Sequence, residues 1–330
     1  MYTDAASLIS QATSIVIIQA ENPDGDSLGS SLAFEELLGD QGKTVTLYCP
    51  VEIPKYLRYF PGWDRVQTDF PLHADLAIIV DTSAEVLLTK VLDTPGVRHF
   101  LETHPVIVID HHTTASTLTF SHTPLCVEKA ISTSEVIYEL AKEAGWSITQ
   151  QAAEHMLAAQ LADSLGLSIQ SVTGDNYRIA ADLTDLGASV GAIEERRREF
   201  MKKSPEILSY KGDLIRRIEY ALDGALAIVH IPWEDIQAYS DQYNPSVLVL
   251  DEMRLVEGVE LAVAIKTYPD GKVTGKLRGN IPIAEQVAGY FGGGGHPYAA
   301  GFRAYDSYDT IYKELVSATN KLLKAHYEAA

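Results

Sequence analysis

Four consecutive β-branched residues, Val106-Ile107-Val108-Ile109, stop abruptly at Asp110-His111-His112. An apolar run without alternation predicts a strand buried on both faces. Strands of that kind belong to parallel sheets with helices packed on either side, so this run narrows the fold class at once. In open sheets of that class, ligands gather at the carboxyl ends of the strands. Asp110, His111 and His112 therefore stand where chemistry is expected rather than where packing is.

Two more apolar runs end the same way. Ile15-Val16-Ile17-Ile18 leads through Asn22-Pro23 into Asp24-Gly25-Asp26, and Leu76-Ala77-Ile78-Ile79-Val80 ends at Asp81. Helical spacing from Ser27 to Leu38 puts Asp24 and Asp26 in a tight strand-to-helix turn. Two readings stand for that turn: a helix cap, or two carboxylates converging on one point. Three acidic strand ends at one sheet edge, one followed by paired histidines, form a metal-site pattern. The segment from Ser132 to Ala144 is amphipathic, and that from Ala152 to Leu165 reads as a buried helix. The second carries Asp163, whose burial would cost several kcal/mol without a partner; a cation is the simplest one. His155 on the same helix reads as a structural residue.

With 330 residues, the chain has room for two ordinary domains. The expected division is 1–187 for the catalytic parallel-sheet domain, 188–217 for a charged helical linker, and 218–330 for a smaller α/β domain. The linker holds Glu194-Glu195-Arg196-Arg197-Arg198 and Lys202-Lys203, more in keeping with a solvated helical face than a phosphate patch. In the last segment, 261–265 and 272–278 read as a hairpin around Pro269-Asp270-Gly271, and Val247 to Leu250 is apolar without a clear period. A helix from Ile283 to Phe291 runs into Gly292-Gly293-Gly294-Gly295-His296, which reads as a binding loop whose amides can approach a ligand closely. Arg278 lies nearby in sequence and suits phosphate.

A net charge of −19 works against long nucleic acid, whose binding draws on many Lys and Arg contacts to phosphate. A phosphate-bearing substrate should be short and held by local positive charge or metal ions. No membrane helix or signal peptide is expected, and Cys49 and Cys126 read as reduced thiols of a cytoplasmic protein.

Taken in order, Asn22-Pro23-Asp24-Gly25-Asp26-Ser27-Leu28-Gly29-Ser30, Asp81, Asp110-His111-His112, Asp163 and Gly292 to His296 with Ala299-Ala300-Gly301 resemble the DHH phosphoesterase superfamily. The resemblance is to the subfamily of RecJ-type exonucleases and nanoRNases. It implies a second domain across a cleft, possible homodimers, and hydrolysis of short oligoribonucleotides, linear dinucleotides or 3′-phosphoadenosine 5′-phosphate. It also implies up to two divalent ions, manganese first and magnesium as the alternative. Asp81 would bridge them, Asp24 would serve the first, and Asp26, His111 and Asp163 the second. His112 would face the scissile phosphate, with Asp110 orienting the histidines. Arg278, Gly293, Gly294, Gly295 and His296 would hold the rest of the substrate. The reaction implied is direct attack by metal-activated water, with no covalent enzyme intermediate.

One position departs from the pattern. The family has a first-site histidine where this chain has Ala20. Glu21 and Gln19 flank it, but strand alternation turns both to the opposite face. Two functions thus stand side by side: a metal-dependent phosphodiesterase, and a catalytically weakened nucleotide-binding protein. A processive nuclease on long strands fits neither the length nor the charge.

Overall fold

The computed structural model describes residues 2–112, 115–240 and 242–329, and the side chains of His296 and Ala329 lie outside the described residues. The chain divides into two compact units, Met1–Lys202 and Lys203–Ala330.

The first unit begins with α1 (Tyr2–Gln11), β1 (Ser14–Ile18), α2 (Gly25–Gly39), β2 (Thr44–Tyr48) and β3 (Leu76–Val80). It continues through α3 (Thr89–Asp93), α4 (Val97–Thr103), β4 (Val106–Asp110) and β5 (Thr123–Cys126). Four helices complete it: α5 (Thr133–Ala144), α6 (Gln150–Asp163), α7 (Gly174–Asp185) and α8 (Val190–Phe200). All five strands are parallel, in the order β2-β1-β3-β4-β5. Ile15 and Ile17 of β1 face a core built with α2, α5 and α6, while Val16 and Ile18 face another built with α3 and α4. Both faces are covered, which is why these strands are apolar throughout. Because β2 and β3 flank β1 on opposite sides, the winding reverses there and leaves a crevice at the carboxyl ends of β1 and β3.

Helix α2 is buried along most of its length, and Leu28, Leu32, Phe34, Leu37 and Leu38 fill the core. Each such side chain contributes about 1.5–3 kcal/mol of burial. It also packs unusually close to α6. A methyl group on Gly25 would overlap that of Ala162, and one on Gly29 would lie 2.8 Å from the Ala159 methyl. Small residues on both helices thus bring the start of α2 against the end of α6, the two places that carry Asp26 and Asp163.

The stretch 188–217 holds two helices. Ile193 of α8 joins the core of the first unit, and Ile207, Tyr210 and Leu214 of α9 (Pro205–Arg216) join a core of the second.

In the second unit α9 is followed by β6 (Glu219–Ala221), β7 (Leu226–Ile231), α10 (Trp233–Tyr239), α11 (Pro245–Arg254), β8 (Leu261–Thr267) and β9 (Lys272–Gly279). Then come α12 (Ala284–Tyr290), β10 (Gly294–His296), β11 (Ala299–Tyr305) and α13 (Tyr308–Ala329). The sheet runs β10-β11-β9-β8-β7-β6, and only β7 and β8 pair in parallel. Helices α9 to α11 cover one face and α12 and α13 the other. The aperiodic Val247–Leu250 is helical, inside α11, where Asn244 caps and Pro245 opens the first turn.

The glycine run departs from the expected loop. Gly294, Gly295 and His296 form β10, antiparallel to Ala299–Gly301. Gly295 has φ 146°, and a methyl there would sit 2.6 Å from the Ala299 carbonyl oxygen. The glycines are needed for close strand pairing as well as for any approach of a ligand. Among the described residues no helix is long and apolar enough to cross a membrane.

Candidate metal centre

The first carboxylate after β1 ends up as a cap. Asp24 is the N-cap of α2: its Oδ1 accepts from the Asp26 and Ser27 amides, each at 3.0 Å, and its own amide donates to Ser27 Oγ at 2.9 Å. This satisfies amides that a helix start leaves unpaired. It also sends the next carboxylate inward. Asp26 is 1% exposed. Its Oδ2 accepts from the Thr133 amide at 2.6 Å, and its Oδ1 from Ser30 Oγ at 3.0 Å and the Ser134 amide at 3.3 Å. The start of α5 thereby cradles an anion carried by α2.

Asp81 follows β3 with φ 63°, left-handed backbone that few residues besides glycine adopt and in which aspartate, asparagine and histidine are enriched. Its Oδ1 accepts from Thr133 Oγ1 at 3.1 Å. Asp110 ends β4 fully buried, and one oxygen gathers the pair of histidines. Oδ1 accepts from the amides of His111 (2.8 Å) and His112 (3.2 Å) and from His112 Nδ1 (2.6 Å). The last bond assigns the Nδ1 proton to His112 and fixes that ring.

His111 is the meeting point. Its Nε2 lies 3.4 Å from Asp163 Oδ2, 3.6 Å from Asp81 Oδ1 and 3.7 Å from Asp26 Oδ2. It is buried and makes no hydrogen bond, while Nδ1 lies 3.4 Å from the Ala130 carbonyl oxygen. The three contacts are too long for hydrogen bonds. Contacts of this length suit ligands that share an ion held at about 2.0–2.2 Å, and around His111 the carboxylates fall into two sets, Asp26 with Asp163 and Asp81 apart from them. A mixed imidazole and carboxylate set of this kind suits a first-row divalent ion better than calcium. Among the described residues two groups of candidate ligand atoms lie within 4.8 Å of one another, Asp26–His111–Asp163 and Asp81–His111–His112. His111 is common to both, and Asp24 is in neither.

The electrostatics point the same way. Burial raises the Asp26 pKa, and the Asp24 charge adds to it against the opposing pull of His111. Asp81 is pushed up strongly, by burial and then by Asp26, Asp24, Asp163 and Asp110. Burial and Asp26 raise Asp163 to about 7. Burial alone would lower His111, but the surrounding carboxylates outweigh it and raise it. Burial also works against ionised Asp110, yet the His112 bonds hold it below the usual carboxylate range. Without a cation this cluster keeps protons; a divalent ion removes the repulsion.

A pH dependence follows. An acid held at about 7 when folded and near 3.8 when unfolded keeps a proton on the folded side across that window. Stability of the metal-free protein should therefore fall as pH rises from about 4 to 7. Manganese binding should release protons and weaken as pH drops below about 7. Calorimetric titration in buffers of different ionisation enthalpy reads the proton release, and Asp163→Asn should reduce it.

A buried network supports the site from behind. Glu135 Oε1 accepts from Gln160 Nε2 at 2.6 Å and Asn176 Nδ2 at 3.0 Å, and Oε2 accepts from Asn176 Nδ2 at 2.9 Å and the Ile131 amide at 3.0 Å. It ties the start of α5, which holds Asp26, to α6, which ends in Asp163. Thr133, Ser134, Glu135, Gln160 and Asn176 went unmarked in the sequence reading. Ser132-x-x-Glu135 before an apolar helix was the available signal, a capping pattern.

Ala20 is buried and offers no ligand atom. Glu21 does not replace one: its Oε2 accepts from the Lys90 amide at 3.0 Å. Gln19 is fully buried with both side-chain amide atoms unbonded. The thiols of Cys49 and Cys126 are free and pushed up to about 11 by burial, unsuited to act as nucleophiles. Of the residues expected to hold the rest of a substrate, Arg278 stands on β9 opposite Ala299, Gly293 precedes β10, and Gly294 and Gly295 lie within it. The His296 backbone pairs with Ala299, and its side chain lies outside the described residues.

Residues 14–167 match the DHH family, N-terminal domain. The chain is 27% identical over 317 residues to the bifunctional oligoribonuclease and PAP phosphatase NrnA of Thermus thermophilus, covering 95% of this chain and 91% of that one. It is 27% identical over 253 residues to a probable manganese-dependent inorganic pyrophosphatase of Streptococcus agalactiae, covering 74% and 79%. The crystal structure of an exopolyphosphatase-related protein from Bacteroides fragilis superposes with a TM-score of 0.84 at 22% identity, over 97% of this chain and 95% of that one, and shares the fold.

Proposed function

We propose that this chain, which belongs to the DHH family through the domain at residues 14–167, is a divalent-metal-dependent phosphoric ester hydrolase acting on short oligoribonucleotides or small nucleotides. The observation that carries the reading is the buried, unbonded His111 Nε2 facing three carboxylate oxygens. Asp26, Asp81, His111 and Asp163 hold one ion, and Asp24 with Asp81 serves a second. Manganese is the first candidate, as in the pyrophosphatase relative's name. A bound ion polarises the phosphoryl oxygens and acidifies the attacking water. His112, held at Nδ1 by Asp110, presents Nε2 to the scissile phosphate. Arg278, Gly293, Gly294, Gly295 and His296 hold the remainder of the nucleotide. A 5′-labelled diribonucleotide with added manganese is the test: cleavage that chelator abolishes is expected, and none at high enzyme concentration overturns the reading.

Ala20 favours a second reading, a nucleotide-binding protein with weakened chemistry. Asp24, already the α2 cap, is the remaining acid on that side, and Ala20 adds no donor. The variant Ala20→His separates the two. A rate gain of roughly 10-fold or more, the scale of a restored metal contact, supports the weakened protein. An unchanged rate in an active enzyme supports the hydrolase as it stands.

A further inference from the structure

Asp163 closes α6, and the backbone just past it turns the wrong way for the residues that occupy it. Leu165, Gly166 and Leu167 have φ of 51°, 73° and 63°. Left-handed residues in a row are rare in a chain of L-amino acids, because Cβ crowds the following carbonyl oxygen. Glycine escapes that clash, and only the middle residue is glycine. Hydrogen bonds hold the turn in place. The Gly166 amide donates to the Leu161 carbonyl at 2.8 Å, the Leu167 amide to Ser164 Oγ at 2.9 Å, and the Ser168 amide to the Ser164 carbonyl at 2.9 Å. The Tyr177 hydroxyl, on α7, donates to the Leu167 carbonyl at 3.1 Å.

Strain of this kind is not spread over the molecule. Among the described residues, the positions other than glycine with positive φ are Asp81, Leu165, Leu167, Leu222 and Asp223. The first three sit at the metal centre, on Asp81 itself and just past Asp163. Strained backbone that collects at a site points to a use there. Leu167 is half-buried, so packing offsets part of its cost. Leu165 has no such compensation, because it is 66% exposed. An exposed leucine is ordinary by itself. One kept on left-handed backbone, where glycine or asparagine would sit with less strain, is not. Its side chain therefore serves something outside the chain. Two peptide links keep the Cα atoms of Asp163 and Leu165 within about 7.6 Å, a reach that covers the group attached to a phosphate at the ion.

We infer that Leu165 is a specificity-determining residue, held by the strained turn 164–167 as an apolar contact for the nucleoside beside the metal centre. This deepens the proposed function and rests on it for the substrate class. The phosphate itself is held by charge, in a mononucleotide and in inorganic phosphate alike. The isobutyl group meets only the sugar and base, so it favours a nucleoside ester over a bare phosphate anhydride.

The test loads the full chain with manganese and titrates it calorimetrically with adenosine 5′-monophosphate and, separately, with inorganic phosphate. Thermal unfolding is read alongside. Leu165→Asn and Leu165→Gly both suit left-handed backbone, so the melting midpoint should hold or rise in each. Both should bind the mononucleotide about 10-fold more weakly, the low end of what one apolar contact contributes, with phosphate and manganese affinity unchanged. A lower midpoint in both variants makes Leu165 a packing residue and overturns the inference, as does unchanged mononucleotide affinity. Phosphate binding weakened by the same factor also overturns it, because the turn would then act through Asp163. So does an unsubstituted protein that binds no mononucleotide. Variants that lose the mononucleotide in a protein that cleaves no ester keep the contact and remove the hydrolase reading. Cleavage of a diribonucleotide with unchanged mononucleotide binding in the variants does the reverse.

Discussion

Asp26→Asn should lower manganese-dependent cleavage of a labelled dinucleotide by more than about 100-fold. Removing a partner that only orients a metal ligand costs about 10–100-fold, and Asp26 is placed to be a ligand itself. Its two oxygens already accept three hydrogen bonds, from Ser30, Thr133 and Ser134, so the carboxylate is locked before any ion arrives. Asparagine keeps the shape, removes the charge, and turns one donor toward the α5 amides. The fold is expected to persist without metal, because relief of repulsion from Asp81 and Asp163 offsets the lost amide bond. What should vanish is stabilisation by the ion. In the unsubstituted protein, manganese at 100 times its dissociation constant adds about 2.7 kcal/mol. That is roughly 5–10 °C in the melting midpoint for a unit of this size. A variant that is folded, inactive and indifferent to manganese is the expected outcome. Strong stabilisation by manganese in Asp26→Asn would contradict the assignment.

Glu135→Ala should destabilise the first unit by about 3–5 kcal/mol, on the order of 10 °C. The loss is larger than its truncated volume implies. Gln160, Asn176 and the Ile131 amide all donate to this one buried carboxylate; the Asn176 side-chain amide and the Ile131 amide are left without it, and Gln160 keeps only its bond to the Asn176 carbonyl. Glu135→Gln separates placement from stability. It retains an acceptor for some of these groups, so it should stay folded at 25 °C. Its manganese affinity should still fall about 10-fold, because the start of α5 and the end of α6 lose their common anchor. Thermal unfolding and manganese titration of the two variants distinguish the effects. Normal metal affinity in a destabilised Glu135→Gln would make the network purely structural.

The parallel sheet and its acidic edge were legible because each strand advertised itself twice, by an apolar run and by an abrupt polar stop. Residues 76–81 and 106–112 needed nothing else. The turn at Asp24 and Asp26 was legible only as two alternatives, and in the structure the two carboxylates part. Asp24 caps α2, and Asp26 points into the cluster, since residues two apart at a helix start face different ways. The support from Thr133 to Glu135 was hidden for another reason. A capping pattern shows that amides need partners locally, but not that they reach 107 residues back to Asp26. Burial on most sides erased the helical period of Val247–Leu250, although Asn244-Pro245 marked its start. The glycine run concealed β10 because glycine has poor strand propensity. That strand exists through pairing with small residues at 299–301, a tertiary fact.

Anomalous scattering at the manganese edge, from crystals of the full chain grown with the ion, tests the central claim most directly. The account predicts a peak about 2.0–2.3 Å from His111 Nε2 and from oxygens of Asp26, Asp81 and Asp163. The position beside Asp24 and Ala20 should be weaker. Full manganese occupancy elsewhere on the chain, with His111 Nε2 left bare among its three acids, would contradict it.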